Sequence, residues 1–183
     1  MSTNREGGRI LVDQLLVHGV DTVFSVPGES FLPVLDGLHE HRARVLLVTC
    51  RHESGAANMA EAHAKLTGRP GICFVTRGPG ATQASVGVHT AFQDSTPMIL
   101  FVGDVGSGFR DREAFQEVDF AAMFGPLAKW AARIDSVERI PEYVNRAFTV
   151  AMSGRRGPVV LALPEDLLNA TATVADARMY TPV

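Results

Sequence analysis

Apolar and polar positions change period repeatedly along this chain. Residues 9–18 set Ile10, Leu11, Leu15 and Leu16 at helical spacing, and Gly19 stops the run. Residues 20–26 then read as a strand, broken at Pro27 and Gly28. The exchange recurs as a short helix over 31–38, a buried strand over 45–49 and a helix over 53–66 closed by Gly68. A strand over 72–76 is broken by Gly78, Pro79 and Gly80, and a helix over 81–92 follows. A strand over 98–102 ends at Gly103, ahead of a helix over 115–123 and a weaker strand over 127–134. A helix over 140–152 and a strand over 159–163, stopped by Pro164, complete the series.

Continuous Val, Ile and Leu runs between helices predict strands buried on both faces, and hence a parallel sheet. The expected fold is α/β: a three-layer sandwich with about six parallel strands flanked by helices. Periodicity fades from Asn169, so 1–168 reads as the domain. Residues 169–183 read as a linker or the truncated start of a next domain, with the linker opening near Asp176. No repeat and no low-complexity segment stands out.

Composition narrows the class. A chain of 183 residues suits one domain with its own core. It is 46% hydrophobic and 20% charged, ordinary for a soluble globular protein. A net charge of -3 gives no electrostatic case for nucleic acid or an anionic membrane as partner. The apolar runs are far shorter than a bilayer span, and residues 1–8 are too polar and Gly-rich for a signal peptide. Cys50 and Cys73 both lie beside apolar strand-like runs, which suits buried thiols in a reducing compartment. A cytoplasmic location is expected, and no metal-ligating set is expected in this chain.

In an open parallel sheet, ligands bind where strands end and helices begin. Three such junctions carry unusual residues: Val26, Pro27, Gly28 and Glu29; then Cys50 to Glu53; then Thr76, Arg77, Gly78, Pro79, Gly80, Ala81 and Thr82. Glu53 places a single carboxylate between an apolar strand and a small-residue helix. The plain reading is a helix-start residue favoured by the partial positive charge there. The Gly78–Gly80 stretch lacks the Gly-Lys-Ser/Thr ending of a nucleotide triphosphate loop and the three spaced glycines of a dinucleotide loop. Its glycines serve a tight strand-to-helix turn, or let a flat ligand approach the backbone.

Six pieces now stand in order: Val23 to Gly28; Arg51, His52 and Glu53 with Gly55, Ala56 and Ala57; Val75 and Thr76 with Gly78 to Thr82; Asp94 and Ser95 with Pro97; Ala114, Phe115, Gln116 and Glu117; and Ser153 to Arg155 with Gly157, Pro158 and Val159. Together they resemble the N-terminal, pyrimidine-binding domain of thiamine-diphosphate enzymes of the acetolactate synthase group, from about Gly8 to Leu167. The resemblance implies that Glu53 is catalytic, holding a proton at the aminopyrimidine ring nitrogen, a task that partial withdrawal from water assists. It implies that Val26, Pro27, Gly28, Thr76, Gly78, Pro79, Gly80 and Gln83 border the cofactor. It implies that Phe115 and Gln116 face the reacting centre, with Gln116 as a hydrogen-bond donor. Plain packing is the alternative for Phe115, a surface or capping role for Gln116, and a structural role for His52 and His89.

The chain also departs from the family pattern. Arg77 stands where serine is usual, Gln83 where asparagine is usual, Asp104 where glutamine is usual and Glu165 where lysine is usual. The lost lysine argues against flavin adenine dinucleotide (FAD) and leaves acyl acceptors other than a second keto acid open. The resemblance implies thiamine diphosphate as cofactor, Mg2+ bound by a C-terminal domain, and a 2-keto acid such as pyruvate as substrate. That domain's Gly-Asp-Gly signature is absent here. The chain is therefore expected to hold half a site, completed by a homo-oligomer or by the diphosphate-binding domain of another subunit. A natural alpha subunit of a two-chain decarboxylase and a non-catalytic binding domain stay open as alternatives.

Overall fold

The computed structural model describes residues 4–180, so the outermost residues of the two predicted segments, 1–3 and 181–183, lie outside the described residues. The strands are β1 Asn4–Glu6, β2 Thr22–Ser25, β3 Leu46–Thr49, β4 Gly71–Thr76, β5 Met98–Asp104, β6 Trp130–Arg133, β7 Pro158–Pro164 and β8 Thr171–Thr173. The helices are α1 Gly7–Val17, α2 Leu32–Glu40, α3 Glu53–Thr67, α4 Arg77–Gln93, α5 Phe120–Phe124, α6 Ile140–Met152 and α7 Glu165–Asn169. Six strands form one parallel sheet in the order β3-β2-β4-β5-β7-β6, as the apolar runs predict. A second, antiparallel sheet pairs β1 with β8.

Alternate residues of the central strands feed two separate cores. On one face Phe74, Ile99, Phe101, Val159 and Leu161 pack with Ile10, Leu11 and Leu15 of α1 and with Val144 and Phe148 of α6. Phe74 and Phe101 stack there with ring centroids 4.6 Å apart. On the other face Cys73, Val75, Leu100, Val102 and Val160 meet Ala56, Ala57 and Ala60 of α3 and Ala81, Ala84 and Val88 of α4. The alanines let these helices lie close: a Cβ built on Gly71 would fall 1.9 Å from the Ala60 carbonyl oxygen, and one on Gly87 would fall 2.5 Å from Ala57 Cβ.

Three expectations change. The strand over 45–49 is not buried, because β3 is the sheet's edge and Leu46 is 62% exposed. The helix over 81–92 begins earlier, at Arg77, so Gly78, Pro79 and Gly80 form its first turn rather than a break before it. The helix over 115–123 shrinks to α5, capped by Asp119 accepting from the Ala122 N–H. Asp111, Glu113 and Gln116 adopt φ of 60°, 52° and 64°, which no right-handed helix can contain. Beyond Asn169, where periodicity fades, the chain is still tied to the domain body. Arg5 binds Asp13, Asp176 and the Val174 carbonyl, and the fully buried Gln14 amide exchanges hydrogen bonds with the Ala177 backbone in both directions.

That tie includes a histidine. His18 stacks on Phe148 with centroids 4.1 Å apart, and its Nε2 lies 3.0 Å from the Gln14 amide nitrogen. The amide is a donor, so Nε2 must accept, and burial pushes the imidazole from 6.5 down to about 4. An unfolded chain takes up this proton below pH 6.5, while the folded chain refuses it until about pH 4. The neutral ring's contribution to stability is thus present above pH 6.5 and lost as pH falls toward 4. Urea unfolding across that window should show a shallower stability loss for His18→Gln than for the parent chain. Equal slopes would place the titrating group elsewhere.

Candidate functional site

Parallel pairing brings the C-terminal ends of β2, β3 and β4 to one edge, and with them the three unusual junctions. They touch one another. A Cβ on Gly28 would fall 2.4 Å from Thr76 Cβ, so the first junction lies against the third. Ser30 Oγ sits 2.6 Å from Thr76 Oγ1 and fastens the same contact. A Cβ on Gly80 would stand 3.2 Å from Val75 Cβ and 3.7 Å from Glu53 Oε1, so the second junction faces the third as well. Glycine at 28 and 80 keeps these gaps clear of side chains.

Glu53 opens α3 and is half-buried. Capping falls to its neighbour: His52 Nδ1 accepts from the Ser54 N–H at 3.2 Å and lies 2.7 Å from Ser54 Oγ. The Glu53 carboxylate itself has no hydrogen-bond or ion-pair partner among the described residues. Helix-terminal N–H groups favour its charge. Below it, Cys73 is fully buried, and its thiol is pushed up by burial first and then by nearby Cys50 and Glu53, which keeps it protonated and inert.

The remaining residues arrive from a loop. Gln116 is joined to the third junction through its carbonyl, which accepts from the Gly78 N–H at 2.9 Å. A side chain on Gly78 would meet that carbonyl at 2.9 Å and Val118 Cγ2 at the same distance. Gly28, Glu53, Thr76, Gly78, Gly80 and Gln116 thus form one group; Val26 and the exposed Pro27 precede Gly28 in the chain, and Pro79 between Gly78 and Gly80 is exposed. Gln83 lies further along α4 with its side chain in solvent, as does His89. Phe115 is 73% exposed and stands over a neighbouring cleft of about 520 Å3. Val105, Phe109, Ala114 and Phe115 give the cleft an apolar lining, to which Arg77, Glu165 and Asp166 add charged groups.

The sequence reading named two further residues without their partners. Asp104 is buried at the end of β5; its Oδ2 accepts from Arg133 Nε at 2.7 Å, and its Oδ1 accepts from the Val105 N–H at 2.8 Å. Arg133 also donates to the Val105 carbonyl, so the pair bridges the end of β7 and fixes the start of the cleft wall. Glu117 does the same for the loop. Its carboxylate accepts from the Ala114 N–H at 3.0 Å and the Asp111 N–H at 2.6 Å. These backbone bonds, Ala114 first, hold its carboxyl below the usual carboxylate range. Left-handed residues other than glycine each cost on the order of 1 kcal/mol, so the loop keeps its shape only while such ties last. Paired acidic and left-handed positions leave no periodic signal in a sequence; the only hint was the Ala114 to Glu117 motif itself.

The family model described as "Thiamine pyrophosphate enzyme, N-terminal TPP binding domain" matches residues 5–123. The chain is similar to the mitochondrial acetolactate synthase catalytic subunit of Saccharomyces cerevisiae, 41% identical over 161 residues that cover 88% of this chain and 23% of that protein. It is 40% identical over 161 residues to the acetolactate synthase isozyme 2 large subunit of Escherichia coli, covering 88% of this chain and 29% of that one. With the acetolactate synthase large subunit of Lactococcus lactis it shares 36% over 177 residues, 96% of this chain and 31% of that one. The chain thus spans less than a third of the length of these relatives.

The loop's dependence on Glu117 can be read directly. Replacing Glu117 with Gln should speed hydrogen exchange at the Asp111 and Ala114 amides while leaving exchange in β4 and β5 unchanged. In the parent chain the same amides should lose protection only as pH falls through the lowered carboxyl value. Unaltered exchange at both amides in the variant would show that the loop stands without this carboxylate.

Proposed function

The chain belongs to the thiamine pyrophosphate enzymes, whose N-terminal cofactor-binding domain it matches, and we propose that its sheet edge holds the aminopyrimidine half of that cofactor, thiamine diphosphate. The observation that carries this reading is the half-buried, unpartnered Glu53 carboxylate facing the gap that Gly80 keeps clear. A flat ring slides beside a carboxylate only where no side chain fills that space, and a ring N–H suits an acceptor with no other claim on it.

The cofactor would supply a nucleophilic thiazolium carbon for reaction with a 2-keto acid carbonyl. Glu53 holds a proton at the pyrimidine ring nitrogen. Val26, Pro27, Gly28, Thr76, Gly78 and Pro79 wall the ring, with Gln83 further along the same helix. Gln116 offers its amide, and Phe115 an apolar surface, toward the substrate. The reaction we assign is decarboxylation of pyruvate or another 2-keto acid with carbon–carbon bond formation, in keeping with the acetolactate synthases to which the chain is similar. The diphosphate and its Mg2+ belong to a different domain or subunit. Met59 and Leu66 on α3 and Val86 on α4 are exposed apolar groups on the helices that flank the site, a surface suited to cover by a second copy or by that domain. No helix among the described residues is long and apolar enough to cross a membrane. We assign the enzyme to the cytoplasm on the two cysteines, both free.

Glu53→Gln in the assembled enzyme should lower turnover of pyruvate roughly a hundredfold or more, the scale of lost acid–base assistance. The melting temperature should hold, since glutamine keeps size and polarity. An unchanged rate would reduce Glu53 to a helix-start residue. The 183-residue chain by itself should bind thiamine diphosphate weakly and turn over no pyruvate. The assembled enzyme should also work without flavin; a visible spectrum with stoichiometric flavin, lost together with activity on its removal, would refute this.

A further inference from the structure

β2 and β4 begin at the sheet edge opposite the candidate site, and a cavity of about 210 Å3 opens there. Residues 19–22, which lead from α1 into β2, line it together with Pro70, just before β4. Phe148 and Met152 line it from the last turns of α6, and Met179 and Tyr180 from the segment that follows β8. The lining is mainly apolar. Its ion pair is already closed: Arg69 Nη2 donates to Asp21 Oδ2 at 2.7 Å, and Nη1 donates to the Gly19 carbonyl at 3.0 Å. His63 also lines the cavity, with its ring edge-on to Phe24. A charged ligand would lose water here without gaining an unpaired opposite charge, whereas an uncharged one loses little.

His18 supplies a polar contact of known sense. The Gln14 side chain is oriented by the Ala177 backbone: Oε1 accepts from the N–H at 2.8 Å, and Nε2 donates to the carbonyl at 3.1 Å. The second Nε2 hydrogen is then left for His18 Nε2, 3.0 Å away. A ring nitrogen that accepts carries no hydrogen, so the neutral imidazole holds its hydrogen on Nδ1. Nδ1 has no hydrogen-bond partner among the described residues, and the ring to which it belongs lines the cavity. Stacking on Phe148 at 4.1 Å holds that ring in place. A shielded donor without a partner is costly to leave unmet, and an acceptor oxygen would meet it.

An apolar cavity of about 150 Å3 takes a benzene ring, so the volume here suits one ring with a small substituent. We propose that this cavity is a ligand site separate from the cofactor's, for a small uncharged molecule with a ring-sized apolar body and a hydrogen-bond acceptor that meets His18 Nδ1–H. Its occupant clamps the segment after β8, because Met179 and Tyr180 line the same space and Gln14 joins Ala177 to His18. The flexible thioethers of Met152 and Met179 let the lining close on ligands of differing outline. Nothing in this site depends on Glu53 or on thiamine diphosphate.

Acetophenone and ethylbenzene share a ring and a two-carbon substituent, and only the first has an acceptor oxygen. In the 183-residue chain labelled with 15N and with 13C at its methionine methyls, acetophenone should shift the Met152 and Met179 methyls and the His18 Nδ1–H. Ethylbenzene should bind roughly five- to tenfold more weakly, the scale of one net hydrogen bond. With free acetophenone tenfold above its Kd, hydrogen exchange at the Ala177 amide should slow about tenfold. His18→Phe keeps a flat ring against Phe148 and removes the N–H, so it should bring acetophenone down to the affinity of ethylbenzene. Met152→Trp should crowd out both. Silent methionine methyls, equal affinity of the two probes for the parent chain, or unchanged Ala177 exchange would each overturn the proposal. The parent chain's two affinities decide the role of Nδ1 even where a variant fails to fold.

Discussion

β5 is buried along its whole length, from Met98 to Asp104, and each of its edges is taken by a parallel neighbour. Such a strand has no water on either side, so its backbone groups must pair with β4 and β7, and its side chains must be apolar on both faces. The single charge it carries, Asp104, lies at its last residue, where Arg133 can reach across β7 to answer it. Parallel pairing also dictates that every neighbouring strand finishes at the same edge. Residues as far apart in sequence as Gly28, Glu53, Thr76 and Gln116 become neighbours through this one requirement.

The parts of this arrangement that a reader of the sequence could find are those with a repeating cause. Strands β4, β5 and β7 are unbroken apolar runs because they are central, and α6 matches its predicted span because its buried stripe recurs at helical spacing. Leu46 carries the same apolar signal as its buried counterparts, yet edge position is a property of strand order, which no local pattern encodes. The short pairing of β1 with β8 joins residues at opposite ends of the chain and is hidden for the same reason.

Single residues were legible when their chemistry was out of place and illegible when it was answered at a distance. Glu53 attracted notice as a carboxylate at an apolar junction, and it stands there half-buried, with no hydrogen-bond or ion-pair partner among the described residues. Arg77 and Glu165 looked like two unrelated substitutions on different loops; their meeting depends on how far β5 holds β4 and β7 apart. The helix predicted over 115–123 starts late because Gln116, like Asp111 and Glu113 before it, is left-handed without being glycine, in a loop tied by Glu117.

The two faces of the sheet differ in how much room they hold. On the α1 and α6 side, stacked phenylalanines and leucines fill a thick layer, whereas on the α3 and α4 side alanine and glycine bring helix backbone almost onto the strands. Mutational tolerance should therefore be lopsided, with opposite rules on each side. The thick layer suffers chiefly from truncation, which leaves cavities; the thin layer suffers chiefly from enlargement, since even one methyl at Gly71 or Gly87 overlaps existing atoms. Sequence drift in descendants of this chain would then accumulate by exchange among large residues behind the sheet, while the layer that carries Glu53 stays confined to the smallest side chains.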